Sequence, residues 1–297
     1  MLNLAKKGSL LKDKSEKFLI YVFIVFLSAF FFLPVFMILT TSLKTTQEIT
    51  IAGFRWFPLT PQFINYSDAF GSKPWFRYFF NSFFVTVIVV LGSLLLNSST
   101  GYALSRLRFK GQKFILILFL TGLMIPPQTY IVPQFIIMKK IPFAGGNNIL
   151  GNGGIGWLNS YWALIMPLLV GPVGIFLCRQ FYLTFPRALD EAAKIDGCSP
   201  IRSYFYIFLP LSKPILATLT ILKFVYTWND FFYPLIMTSS DELATVQLAL
   251  QKFKGQYSVQ WNQLMAATVV TILPILIVFL SAQRYFVQGI VTSGIKG

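Results

Sequence analysis

Residues 184–206 read TFPRALDEAAKIDGCSPIRSYFY, a polar stretch set between an apolar block that ends near Phe181 and another that starts near Ile207. Three of the chain's ten acidic residues, Asp190, Glu191 and Asp196, fall within seven consecutive positions of it. Pro186 suits a first helical turn, where its missing N–H has no partner to lose. Asp190 and Glu191 favour the early part of a helix, where the peptide dipoles leave positive charge. Gly197 suits the left-handed position just past a helix C-terminus. Ser199 and Pro200 then read as a second cap and start. The stretch therefore predicts a helix over 186–196, a sharp turn and a second helix. Ala188, Leu189, Ala192 and Ile195 form a small apolar ridge on the first helix, with Arg187, Asp190, Glu191 and Lys194 elsewhere around it.

What surrounds this element sets the fold class. Of 297 residues, 55% are hydrophobic and only 12% charged, with a mean hydropathy of +0.66; soluble domains carry about a quarter charged residues. A helix that crosses a bilayer needs about 20 mostly apolar residues. Six stretches qualify, roughly 18–39, 81–104, 114–137, 161–182, 207–236 and 264–285. The expected fold is an all-α membrane protein of six transmembrane helices. The 186–196 helix is too short to cross and is expected to lie beside the membrane between helices 4 and 5.

The tail before the first span carries Lys6, Lys7, Lys12, Lys14 and Lys17. The apolar run from Phe18 to Leu39 exceeds the 7–15 residues of a signal peptide core, and no small-residue cleavage site follows, so an uncleaved first helix is expected. With the tail in the cytoplasm, inner segments hold sixteen of the 25 basic residues and outer segments eight, Lys223 lying within a span. The positive-inside rule then places both termini in the cytoplasm. A net charge of +15 spread through loops, and not along one face, does not describe a nucleic-acid surface. Cys178 and Cys198 are the only cysteines and both fall on the cytoplasmic side, where a disulfide is not expected. With no histidine at all, Ser-His and Cys-His nucleophilic catalysis is excluded. A His/Cys metal site has almost nothing to build with, so neither catalytic nor metal residues are assigned. No G-x-x-x-x-G-K-[ST] loop occurs, so any nucleotide hydrolysis must come from another chain.

Several spans carry helix breakers: Pro126, Pro127 and Pro133 in the third, Pro167, Gly171, Pro172 and Gly174 in the fourth, Pro274 in the last. Proline removes a backbone hydrogen bond and frees carbonyls that need another partner. The outer loop AGGNNILGNGG is read as flexible and polar. Thr86, Ser93, Asn97 and Thr100 form a small-polar stripe on one face of the second span, a surface that lets membrane helices approach closely. Thr220, Lys223, Thr227 and Asp230, with Trp228 and Asn229 beside them, put a polar face on the fifth span. A charge at mid-bilayer costs about 2.5–3.5 kcal/mol on insertion scales, so such a face lines a cavity or meets a partner. Two readings stand: a lining of a substrate path, or Asp230 at the outer interface with Lys223 snorkelling or meeting a neighbouring subunit.

The residues of the opening stretch also carry a resemblance. Glu191-Ala192-Ala193, three residues, Gly197, nine residues, then Ile207-x-Leu209-Pro210 resembles the E-A-A-x3-G-x9-I-x-L-P loop of membrane subunits of binding-protein-dependent ABC importers, with every fixed position matched. GYALSRLRFKG (101–111), MIPPQTYIVPQF (124–135), YWALIMP (161–167), LPLSKPILAT (209–218), WNDFFYPLIMTS (228–239) and the ending from Leu273 resemble the maltose- and glycerol-phosphate-type carbohydrate permeases. The likeness runs from about residue 80 to the end; the first 80 residues match mainly in layout.

The resemblance implies a permease subunit of a carbohydrate ABC importer in a bacterial cytoplasmic membrane. Its domains would be an N-tail (1–17), a six-span domain (18–286) with a coupling loop (184–206), and a C-tail (287–297). Asp190, Glu191, Ala192, Ala193, Asp196, Gly197 and Pro210 would form the ATPase-coupling element, and Ser293, Gly294, Ile295 and Lys296 a C-terminal ATPase contact. Implied partners are a second, unlike permease subunit, two ATPase subunits that hold ATP and Mg, an extracytoplasmic sugar-binding protein and lipid. This chain itself would bind no cofactor and catalyse nothing. The rivals are an ion-coupled secondary transporter with Asp230 as its coupling carboxylate, and a structural membrane subunit. Outer segments hold eight bases against Glu48, Asp68, Asp241 and Glu242, a surplus that permits an acidic sugar.

Overall fold

The computed structural model describes residues 2–50, 53–71, 73–255 and 259–294, with side chains described only between 16 and 283. Its principal helices are α1 (Leu2–Ser42), α2 (Trp75–Arg106), α3 (Gln112–Met124), α4 (Pro127–Lys139), α5 (Tyr161–Leu168, the last turn 3-10), α6 (Pro172–Leu183), α7 (Ala188–Ile195), α8 (Pro200–Leu211), α9 (Lys213–Trp228), α10 (Phe232–Met237), α11 (Val246–Gln251) and α12 (Trp261–Gly294). Residues 1–73 with 253–270 form one compact unit, and residues 74–252 with 271–297 a second.

Among the described residues, three helices are long and apolar enough to cross a membrane alone, within Glu16–Ser42, Trp75–Arg106 and Trp261–Gln283. The third, fourth and fifth expected spans are bent pairs. α3 and α4 meet at 111°, α5 and α6 at 40°, and α8 and α9 at 80°, and six spans result when each pair counts as one. The first bend falls at Pro126-Pro127, where two successive residues have no N–H to donate and the residue before proline is held extended; Ile125 is extended, with ψ 119°. The second falls at extended Gly171, before Pro172. The third, at Ser212, was not expected, because the whole run 207–236 is apolar enough to read as one span. Pro34 and Pro274, by contrast, sit inside unbroken helices.

In the first unit, the chain leaving α1 is tied down by Asn65, whose Nδ2 donates to the carbonyls of Ser42 and Lys44 at 2.9 Å each. Asn262 at the start of α12 donates to Asn65 Oδ1 at 2.9 Å. The short helix Thr46–Thr50 opens on a capping box: Glu48 N donates to Thr45 Oγ1 at 3.2 Å and Thr45 N to Glu48 Oε2 at 2.8 Å. Leu59 N reaches the other carboxylate oxygen at 2.7 Å. These backbone donors, Thr45 first, hold the Glu48 carboxyl below its usual range.

In the second unit α2 is the central post, packed on α6 and α9. Apolar surface gains little by leaving lipid, so such helices associate through close contact of small residues and through hydrogen bonds. A Cβ on Gly101 would lie 2.7 Å from Cys178 Cβ and 2.8 Å from Arg179 N, and one on Gly174 would lie 2.9 Å from Asn97 Nδ2. The small-polar stripe is thus a helix contact: Thr86, Ser93 and Asn97 are buried. One apolar cluster joins Val85, Val89, Leu164, Leu168, Tyr233 and Met237. Another, toward the Arg106 end, joins Tyr102, Cys178, Tyr182, Tyr204, Phe208 and Leu219.

The glycine-rich outer loop is tighter than its composition suggests. Asn147 Nδ2 donates to the carbonyls of Lys139 (2.7 Å) and Ile141 (2.9 Å), while its Oδ1 accepts from Gly154 N at 2.8 Å. One side chain thereby gathers both arms of the loop.

Candidate functional site: a capped surface helix and a cavity at the broken helices

α7 and its turn form as the residues dictate. The amide of Gly197 donates to Lys194 O at 3.0 Å and that of Cys198 to Ala193 O at 2.8 Å, the paired bonds of a Schellman cap. Gly197 has φ +70°, a conformation that costs other residues about 1–2 kcal/mol. Ser199 Oγ accepts from Arg202 N at 3.3 Å and begins α8. The π-helical turn Tyr204–Phe208 follows within α8.

α7 has two distinct faces. Ala193 is 2% exposed, and Leu189 packs on the Tyr182–Phe208 cluster. Ala188, Glu191, Ala192 and Ile195, three to four residues apart, share the opposite face, and Ile195 is 87% exposed. Asp196, Gly197 and Pro210 are also exposed, and Ile201 on α8 adds a further apolar side chain, 72% exposed. The face combines two uncovered isoleucines with the exposed carboxylates of Glu191 and Asp196.

Two of the seven residues assigned to that surface are turned away from it. Ala193 is packed inward, and Asp190 Oδ2 accepts from Arg106 Nη1 at 3.0 Å. The Arg106 side chain is 1% exposed and that of Asp190 22%. Arg106 Nη2 also donates to the carbonyls of Tyr182 (2.5 Å) and Phe185 (2.6 Å), and the guanidinium lies 5.3 Å from the Phe208 ring centre. Sequence reasoning had counted Arg106 only among the inner basic residues; its place at the last residue of a long apolar helix is the signal that was available. Of the C-terminal group, Ser293 and Gly294 lie at the end of α12 without described side chains, while Ile295 and Lys296 lie outside the described residues.

The polar residues of the fifth span divide differently from the expected single face, because α9 ends at Trp228. Asp230 is beyond it and caps α10, its Oδ1 accepting from Phe232 N at 3.1 Å and Tyr233 N at 3.3 Å. Lys223 Nζ donates to Leu168 O at 2.8 Å, a carbonyl released by the α5–α6 break. Asn97 Oδ1 accepts from Gly171 N at 3.1 Å on the other side of that break. Thr220 Oγ1 donates back to Leu216 O at 2.8 Å, and Thr227 is buried. Trp228 is 2% exposed, stacks on Phe224 with ring centres 5.6 Å apart, and donates its indole N–H to Thr271 O at 3.0 Å. It packs the wall instead of presenting a face.

Lys223, Asn229 and Asp230 do border open space. A cavity of about 370 Å³ touches Lys223, Tyr130, Tyr226 and Tyr233 together with the Leu168–Gly174 break. A second of about 630 Å³ touches Gln128, Tyr226, Asn229, Asp230 and Tyr233. Both share Pro127, Tyr226 and Tyr233. Tyr233 donates its hydroxyl to Gln134, and Gln247 Nε2 donates to Asn229 Oδ1 at 3.0 Å. Gln128 and Tyr130 were not singled out from sequence, since they follow the double proline whose bend folds α4 back toward α9.

Beyond α10, the segment 241–252 is fastened to the start of α2. Asn81 Nδ2 donates to the carbonyls of Glu242 and Ala244 at 2.8 Å each. Lys252 bridges to Asp241 and donates to Tyr78 OH at 2.9 Å. The Lys252 hydrogen bond holds the Asp241 carboxyl below its usual range. Burial pulls the Lys252 ammonium down, and its bonds to Asp241 and Tyr78 outweigh that and leave it raised.

Residues 97–292 match the family model described as binding-protein-dependent transport system inner membrane component. The chain is 32% identical over 279 residues to the arabinooligosaccharides transport system permease protein AraQ of Bacillus subtilis, covering 93% of this chain and 94% of the relative. It is 35% identical over 266 residues to the sulfoquinovosyl glycerol transport system permease protein SmoH of Agrobacterium fabrum, covering 89% and 88%. With the sn-glycerol-3-phosphate transport system permease protein UgpE of Pectobacterium atrosepticum it shares 36% over 216 residues, 72% of each. Its fold matches a chain of a bacterial ABC transporter involved in the import of the acidic polysaccharide alginate, with a TM-score of 0.76, 22% identity and coverage of 93% and 98%. The family match spans the broken helices, the capped surface helix and the cavity-bordering residues alike, and this chain belongs to the binding-protein-dependent transport system inner membrane components.

Proposed function

We propose that this chain is one of two unlike permease subunits of an ATP-driven importer of an oligosaccharide or sugar derivative, with ATP and Mg held on two separate ATPase subunits. The observation that carries this reading is α7: a capped helix too short to cross a membrane, one face packed on the Tyr182–Phe208 cluster and the other open. Glu191, Ala192, Asp196, Gly197 and Pro210 form the docking surface for the ATPase, and Asp190 and Ala193 seat it. Ser293 to Lys296 add a second contact. Both termini and α7 are cytoplasmic, a topology that the distribution of basic residues supports, and a sugar-binding protein delivers cargo on the opposite side. The saccharide class rests on the names of the relatives, which are permeases for arabinooligosaccharides, sulfoquinovosyl glycerol and sn-glycerol-3-phosphate.

Lys223, Asn229 and Asp230 border the substrate path with Tyr226, while Thr220, Thr227 and Trp228 support its wall from within the helix. Tyrosine beside amide and carboxylate groups matches a sugar, which offers an apolar ring face and a rim of hydroxyls. The test is uptake by proteoliposomes that hold this chain, its partner permease and the ATPase, with the binding protein added outside. Labelled arabinotriose and sn-glycerol 3-phosphate serve as first probes. Accumulation that requires ATP and the binding protein is expected, with Asp230→Asn slower but assembled. Accumulation driven by a proton gradient without ATP overturns the reading in favour of a secondary transporter.

A further inference from the structure

We infer that Arg106 and Asp190 form a clasp that makes α7, α6 and α2 move as one body, so that Asp190 is a positioning residue for coupling and not part of the docking surface. This rests on the docking role of α7 proposed above. Between α6 and α7 the chain runs through Thr184, Phe185, Pro186 and Arg187, a short linker whose backbone bonds are all local turns to residues three or four positions away. Force applied to the open face of α7 would bend that linker if nothing else joined α7 to the membrane helices.

Arg106 supplies the joint. Its guanidinium leaves the last residue of α2 and reaches the carbonyl of Tyr182 in α6, the carbonyl of Phe185 in the linker, and the carboxylate of Asp190 in α7. The planar fork of arginine can hold three such acceptors in fixed directions, which a lysine ammonium cannot. The Phe208 ring of α8 closes one face of it. Burial of the guanidinium makes the bond to Asp190 matter more, since a buried charge that loses its partner is strongly penalised. The joint continues upward without slack: four residues before Arg106 along α2, Tyr102 packs edge-on against Tyr182 at 5.9 Å, and Gly101 lies in backbone contact with Arg179 of α6. A displacement of α7 is thus delivered to α2 and α6, and through Asn97 to the Gly171 break that borders the cavity.

The test uses the complete complex in nanodiscs, with Asn229→Cys as a reporter in a background lacking Cys178 and Cys198. The rate at which a membrane-impermeant maleimide modifies this cavity-bordering position is measured with and without ATP and Mg. In the parent, ATP is expected to change the rate. In Asp190→Asn the ATP effect is expected to shrink about tenfold, within the 5- to 150-fold range of typical coupling between sites, while the ATPase still co-purifies and hydrolyses ATP. Asp190→Glu is expected to restore the effect, and Arg106→Lys to lose it. An intact ATP effect in Asp190→Asn beside a lost one in Glu191→Lys overturns the clasp alone. Loss of ATPase co-purification in Asp190→Asn also overturns it, by assigning Asp190 to the docking surface. A parent in which ATP leaves the rate unchanged removes the docking reading itself.

Discussion

A single methyl group at Gly101 tests whether close packing of α2 on α6 holds the second unit together. The added Cβ would meet Cys178 Cβ at 2.7 Å and the Arg179 backbone nitrogen at 2.8 Å, whereas carbon atoms rest at about 3.5–4.0 Å. Neither neighbour can swing aside, because one is backbone and the other the first atom of a side chain that is 0% exposed. The helices must part by close to 1 Å, and overpacking of this sort costs about 1–3 kcal/mol. Alanine regains about 1 kcal/mol of helix propensity over glycine, so Gly101→Ala should destabilise by up to about 2 kcal/mol. Gly92 in the same helix is the control. A Cβ there meets only the Leu169 Cδ2 tip at 2.5 Å, which a change of rotamer can relieve, so Gly92→Ala should stay within about 0.5 kcal/mol of the parent or gain slightly. Denaturant or thermal unfolding of both variants in one detergent gives the comparison. Equal stability of the two would refute the packing argument.

Two further outcomes follow from the caps and charges. Gly197→Ala must take φ +70° with a side chain, so α7 should lose about 1–2 kcal/mol of local stability, read as faster amide exchange over residues 193–198; unchanged exchange would contradict the cap. The Asp241 carboxyl has a lower pKa folded than free. Its contribution is therefore complete above the ordinary carboxylate value of about 3.9 and lost as pH falls through the depressed one. Proteolytic nicking of residues 238–252 should stay constant from neutral pH to about 5 and rise only in stronger acid, and Asp241→Asn should nick readily at every pH.

The surface helix was legible because its signals are local: Gly197 and Ser199 each act within one turn and stand where expected in the structure, whereas Pro186, expected in the first helical turn, lies two residues before α7 begins. The family motif added what local physics does not encode, namely the expectation that the helix docks on an ATPase. The bends in the third and fourth spans were announced by Pro126-Pro127 and by Gly171-Pro172. The bend at Ser212 was not, since Pro214 there falls in a first helical turn, a position that proline tolerates without any break. Asp230 was placed on the α9 face because a periodic pattern continues on paper past the residue where the helix stops. The direction of Asp190 was illegible for another reason. Its partner Arg106 lies 84 positions earlier, and only the close passage of α2 against α6 brings the two together.

The central claim, that the open face of α7 seats the ATPase, is tested most directly by site-specific photo-crosslinking from Ala192 and Ala193 in the assembled complex. These neighbours differ in direction, since Ala192 is exposed and Ala193 is buried against its own subunit. A crosslinker at Ala192 is predicted to join this chain to the ATPase subunit, and one at Ala193 to give no such product. Equal crosslinking from both positions, or an ATPase adduct from Ala193 alone, would contradict the account.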